Sequence, residues 1–356
     1  MWLGGTPLAR TLRHGFERSD DWRRAYGALL EALGCGAIRT RSSVLHAEAG
    51  LRLHAFGGAT AAPPLLILPA PIKRAYIWDL APKISVVRRF LAHGFRVYLA
   101  EWTEDAPADF GIEHHAHRLP LGAIAAIAGE TGGQRVVLAG HSLGGTLAAI
   151  FAALHPRCVR ALVLLESPQR FGAAAGAFAP LVAAAPARPI AEVFGAVPGS
   201  FLDAVSAAAA PASFIGARWR DALATAGDPA GRIAHLRVER WACDELALPR
   251  RFFEEVVELL YREDRFMAGT LAIGGLAARP QALDMPILST FRPKSRVVPP
   301  ASILPLHDAV RHPHNRLICY DGEHGVALQH VGILVGRKAH AAVWPEILTW
   351  IDACDA

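Results

Sequence analysis

Gly140-His141-Ser142-Leu143-Gly144 sets a serine between two glycines, after the run Arg135-Val136-Val137-Leu138-Ala139 and before Gly145-Thr146-Leu147-Ala148-Ala149-Ile150-Phe151-Ala152. A strand that turns at once into a helix forces strained dihedrals on such a serine, and the chains cross closely enough that the positions two before and two after must be small. The chemistry implied is nucleophilic attack on an acyl carbon. At the start of a helix, free backbone N–H groups and the helix dipole favour a developing oxyanion, and the N–H of Leu143 is the first such donor. The same letters also suit a plain Gly-rich turn, but the flanking strand and helix select the nucleophile.

The elements that must position this serine are legible as apolar runs without alternation at 65–68, 97–100, 136–139, 162–165, 287–290 and 317–319, several of them separated by helical stretches. Such runs mark a parallel sheet covered on both faces. Before them, residues 43–47 and 51–56 read as a hairpin across Glu48-Ala49-Gly50. Residues 1–42 read as a helical packing arm, with Trp22, Tyr26, Leu29, Leu30 and Leu33 at helical spacing. Between Pro168 and about Pro280 the rhythm is broken by an Ala/Gly/Pro-rich insertion. Its first part, 171–187, carries no charge, but it is too short and too rich in Ala, Gly and Pro for a membrane span, and a cap over an apolar substrate path fits it better. Residues 251–261 read as an amphipathic helix.

The chain has 356 residues, 52% of them hydrophobic and 19% charged, as expected of a globular protein with one large domain and an insertion. Its net charge of +5 is diffuse and arginine-borne, and no nucleic-acid motif accompanies it. Five scattered cysteines without metal-ligand spacing suit a reducing compartment. No signal-peptide pattern is apparent at the N-terminus, so a cytoplasmic protein without a transmembrane segment is expected.

Finer features resemble the polyhydroxyalkanoate synthase (PhaC-like) branch of the α/β-hydrolases. Leu66-Ile67-Leu68-Pro69-Ala70-Pro71-Ile72-Lys73-Arg74-Ala75-Tyr76-Ile77-Trp78-Asp79-Leu80 is similar to that family's strand, paired prolines and Tyr-Ile-Leu-Asp-Leu. Trp241, Asp244, Pro249, Phe252, the run 260–265 and the run 269–275 are also alike, and the resemblance spans about residues 60–350. It implies an α/β-hydrolase fold, a mostly parallel central sheet with helices on both faces and an inserted cap. The expected divisions are an N-terminal arm at 1–42, a first core part at 43–168, a cap at 169–280 and a second core part at 281–356.

Two departures from the family matter. Its polymerases carry cysteine where this chain has Ser142, and a thiolate is both a strong nucleophile and a good leaving group. Serine tilts the reading from polymerase toward hydrolase without excluding acyl transfer. The family's triad aspartate, in an Asp-x-x-Val-Pro-Pro context, corresponds to Ser295 in Lys294-Ser295-Arg296-Val297-Val298-Pro299-Pro300. A hydroxyl does not stabilise an imidazolium as a carboxylate does, so another acid is expected.

The family's Gly-His-Ile-Gly matches Gln329-His330-Val331-Gly332, which makes His330 the expected base and His324 the fallback. Glu166 is the candidate acid because it ends the strand at 161–165, one strand beyond the nucleophile's, at the carboxyl edge of the sheet. Asp308, Asp321 and Glu323 are weaker alternatives. If Glu166 is the acid, a ring nitrogen of His330 should lie about 2.6–3.2 Å from its carboxylate. Pro69 and Pro71 lack N–H groups, so the second oxyanion donor is Ala70 or Ile72, of which Ile72 is the better match to the family. The expected activity is that of a hydrolase or acyltransferase of hydroxyacyl esters or thioesters. The alternatives are a serine-using polyester synthase and a non-catalytic relative that binds polymer granules or a synthase. Expected partners are a small or polymeric acyl ester, CoA-linked or free, and a second copy through the cap. Neither a metal nor another cofactor is expected.

Overall fold

The computed structural model describes residues 6–57 and 59–354. Eight strands form one sheet in the order β1-β2-β4-β3-β5-β6-β9-β10. They are β1 (Ser42–Glu48), β2 (Leu51–Phe56), β3 (Pro64–Leu68), β4 (Arg96–Trp102), β5 (Val136–His141), β6 (Val159–Leu165), β9 (Ile287–Phe291) and β10 (Arg316–Cys319), while β7 (Leu271–Ile273) and β8 (Leu276–Ala278) make a separate hairpin. Only β1–β2 and β2–β4 pair antiparallel within the large sheet. From β4 to β10 every pairing is parallel.

The unalternating apolar runs reflect burial on both faces. In β3, Leu65 and Ile67 enter one core with Phe90, Val163 and Trp344, whereas Leu66 and Leu68 enter the other with Leu138, Leu147 and Phe151. Four helices position the first half: α1 (Pro7–Leu30), α2 (Val86–Ala92), α3 (Leu119–Thr131) and α4 (Leu143–Leu154). Helix α4 is buried along almost its whole length, which is why its sequence is apolar all round.

Between β6 and β9 the chain leaves the sheet for a succession of helices, among them Ala187–Phe194, Gly199–Ala209, Pro229–Ala242 and Arg250–Glu255, the last continuing through Val256–Arg262. The expected amphipathic helix lies there and buries Phe252, Phe253, Val256 and Leu260. No single helix among the described residues is long and apolar enough to cross a membrane.

Helix α1 packs on these inserted helices with a different face from the one expected. Of the five residues named for its packing, Leu30 alone is buried, and Trp22, Tyr26, Leu29 and Leu33 are exposed. The contacts come instead from Phe16, edge-on to Phe194 and Phe201, and from Arg13, which donates to the Val193 carbonyl. Arg23 adds bonds to the Ala242 carbonyl and the Glu245 carboxylate. Periodicity finds an apolar stripe but cannot say which face the neighbours cover, and here polar and aromatic anchors decide it.

Candidate active site

Ser142 sits between β5 and α4 with φ 54° and ψ −134°, a backbone conformation unfavourable for any side chain. Its N–H donates to the Leu165 carbonyl at 3.1 Å, and its own carbonyl accepts from Gly145 and Thr146, so the surrounding structure fixes the strain. The flanking glycines are required by contact. A Cβ on Gly140 would lie 2.5 Å from the Gly145 Cα, and one on Gly144 would lie 2.4 Å from the Leu68 carbonyl oxygen. Gly145, not singled out in the sequence, is tighter still, since its Cβ would fall 1.9 Å from the Ser167 hydroxyl. Leu143 opens α4, so its N–H has no carbonyl within the helix to donate to.

Glu166 lies one residue past β6, again with a positive φ, 42°. Its N–H donates to both the carbonyl oxygen and the hydroxyl of Thr290 at 3.1 Å. The side chain is fully buried, and burial pushes the carboxyl up to about 7 against the opposing pull of Arg292 and His141. His330 stands in the short turn Gln329–Val331 with both ring nitrogens buried. Burial, aided by the positive charge of Arg292, pushes it down to about 4.

The structure brings His330 and Glu166 together. Nδ1 lies 3.6 Å from Oε2, longer than the 2.6–3.2 Å expected of a hydrogen bond. Neither group has a hydrogen-bond partner among the described residues, and no hydrogen bond joins His330 to Ser142. Resting catalytic contacts are often this loose before substrate arrives.

The alternatives lie elsewhere. His324 is 83% exposed and faces Asp221, while Asp308 and Asp321 are exposed. Glu323 accepts from the Tyr320 hydroxyl and from the N–H groups of Lys338 and Ala339. Ser295 accepts from the Val298 N–H at 3.1 Å, where it closes a turn.

His141, the variable residue of the serine motif, was not foreseen as part of the site. Its ring lies 4.6 Å from that of His330, and its Nε2 donates to the His330 carbonyl at 2.8 Å. Burial pushes it down to about 3, so it stays a neutral prop for the His330 backbone. Only its place inside the motif could have signalled it.

The loop after β3 lies directly against the elbow, as the Gly144 contacts show. Trp102 Nε1 donates to the Pro69 carbonyl at 2.8 Å, and the Ile72 carbonyl accepts from Leu246 N–H at 3.0 Å. Lys73 then reaches the Glu245 carboxylate at 2.6 Å and the Ala242 carbonyl at 2.7 Å. This loop, with its two candidate N–H donors, is therefore fixed at one end by the sheet and at the other by the inserted helices.

A mostly parallel sheet whose strained Gly-His-Ser-Leu-Gly turn opens a buried helix defines the class, and the chain belongs to the alpha/beta hydrolase family, whose sequence pattern matches residues 53–316. Within it the chain is similar to poly(3-hydroxyalkanoate) polymerase subunits. It is 27% identical to that of Haloferax mediterranei over 88% of this chain and 64% of the relative. It is 26% identical to that of Allochromatium vinosum over 93% of this chain and 95% of the relative. The chain thus spans less than two thirds of the haloarchaeal relative's length. Among solved structures, a hydrolase from Pseudomonas aeruginosa shares the fold with a TM-score of 0.54 and 16% identity, covering 87% of this chain and 98% of that one.

Proposed function

We propose that the protein is a serine hydrolase or acyltransferase of hydroxyacyl esters or thioesters that works through an acyl-enzyme. The observation that carries this reading is the strained Ser142 at the head of α4, with the buried His330–Glu166 pair at the same sheet edge. In the proposed cycle His330 takes the Ser142 proton as Oγ attacks the acyl carbon. The N–H groups of Leu143 and Ile72 hold the oxyanion, and Glu166 balances the imidazolium. His330 returns the proton to the departing alcohol or thiol, then takes another from the water or acceptor hydroxyl that attacks the acyl-enzyme and hands it to Ser142 Oγ as the acyl group leaves.

The test compares parent protein and Ser142→Ala on short p-nitrophenyl esters and 3-hydroxyacyl-CoA. Turnover should vanish in the variant, and equal turnover by both would sink the reading. Labelling of Ser142 by a fluorophosphonate probe would defeat a non-catalytic, granule-binding role.

The similarity to polymerase subunits over most of the chain supports a second reading, a serine-using polyester synthase. Polymer formed from 3-hydroxybutyryl-CoA favours it, whereas CoA release without polymer favours hydrolysis. Serine weighs against it, since an oxyester is a poorer carrier for a chain handed on repeatedly than a thioester. A CoA-linked donor, a cytoplasmic place near polyester granules and pairing of two copies through the 169–280 segment belong to the same proposal.

A further inference from the structure

Beside His330 lies a cavity of about 20 Å3 lined by Ser213, Phe214, Arg292, Ser295, Gln329 and His330, among others. That is room for about one water-sized group. Its walls combine a cation that makes no ion pair among the described residues with unpaired polar atoms. Arg292 Nη1 is buried without a hydrogen-bond partner, as are both ring nitrogens of His330. No ion pair ties the Arg292 guanidinium to any carboxylate among the described residues. The Ser295 hydroxyl accepts from Val298 N–H, which leaves its own hydrogen free to donate. Gln329 has turned its Nε2 to Asp221 and to the Glu323 carbonyl.

The acidic groups nearby do not supply the missing partner. Glu323 is engaged by Tyr320, Lys338 and Ala339, and Glu166 lies beyond ion-pair distance of Arg292, which it feels only through space. A buried guanidinium N–H without an acceptor is costly, and a small anion that fits the room would accept from it. Ser295 also holds the position where the family resemblance expects an aspartate.

We propose that this cavity is a binding site for one small monatomic anion, chloride, held by Arg292 Nη1–H and the Ser295 hydroxyl beside His330. Bound there, the anion returns a negative charge to the place where the chain carries serine, and it favours the imidazolium that forms as Ser142 attacks. The effect on turnover rests on the proposed function; the binding does not.

Binding is read by 35Cl NMR line broadening with the full chain at constant ionic strength, using gluconate as the replacing anion. Saturable broadening that bromide displaces and sulfate does not is expected, because the room suits a monatomic anion and is too small for a tetrahedral oxoanion. Arg292→Gln should remove the broadening and Arg292→Lys should restore part of it. Should Arg292→Gln fail to fold by circular dichroism, Ser295→Val, which fills the room and keeps the cation, should remove it instead. At a pH well above 7, where Glu166 is already ionised, turnover of a p-nitrophenyl ester should rise about threefold or more to a plateau with chloride, because an added negative charge beside an imidazole favours its protonated form. Broadening that never saturates, or that sulfate displaces equally, overturns the site. Saturable binding without a change in turnover, while Ser142 is still labelled, leaves the site standing and removes its catalytic part. Absence of any esterase activity defeats the proposed function alone, since the NMR result is scored independently.

Discussion

Glu166 and His330 are each held away from their preferred charge by burial, in opposite senses. The carboxyl rises from 4.5 to about 7 and the imidazole falls from 6.5 to about 4. In the proposed cycle His330 is therefore neutral across the working range, and the acid limb of kcat/KM is expected to belong to Glu166, whose ionised form the cycle uses. Activity should rise as pH passes about 7; an acid limb near 4 would show that the charge on Glu166 plays no part. Glu166→Gln should lower turnover by roughly 10²–10⁴ while the fold survives, and Ser295→Ala should cost far less. Stability gives an independent readout. A carboxyl whose folded value is raised stabilises the fold only at low pH, and that contribution is lost as pH climbs from its unfolded value to about 7. Glu166→Gln should therefore leave stability near parental at pH 4 and exceed it by about 3 kcal/mol at pH 8, measured by urea unfolding at each pH.

The serine depends on three tightly packed elements, β5, α4 and the loop after β3. Gly145→Ala would drive a methyl group into Ser167, so it should lower the melting temperature and slow fluorophosphonate labelling together. Normal labelling in that variant would mean the elbow tolerates displacement. The loop after β3 answers to Glu245, whose side chain is 5% exposed and receives both Lys73 and Arg23. Glu245→Ala leaves those cations with Asp203 as their one remaining acid among the described residues, beside the Ala242 carbonyl. A loss of about 3 kcal/mol is expected, at the low end for a broken buried pair because that second acid remains. The variant should also show a lower kcat, because Ile72 adjoins Lys73, whereas an unchanged kcat would separate the loop from the oxyanion.

Across the whole molecule, α1 fastens the inserted helices from outside the sheet. Arg13 and Arg23 reach from it to Val193, Ala242 and Glu245, and Asp20 accepts from the Ser200 N–H. Removing residues 1–30 should therefore speed hydrogen exchange across 187–245 while β3, β5 and β6 keep their protection. Uniform loss of protection would instead make α1 part of a single cooperative unit with the sheet.

The amino-acid sequence by itself determined what local geometry governs. A serine between small residues must follow a strand and open a helix, and continuous apolar runs must be strands buried on both faces. These features are set by sterics and burial within a few neighbouring residues. Only the tertiary structure decided which face of α1 is covered, because Phe16 and Arg23 find partners in the inserted segment, whereas Trp22 and Tyr26 stack on one another at the surface. It also decided that His330, rather than His324, faces Glu166, and that His141 props the His330 backbone. Arg292 looks like any surface arginine in the chain. Its place beside His330 comes from the segments that follow β9 and β10 meeting Ser213 and Phe214 of the insertion, a long-range arrangement that no local spacing encodes.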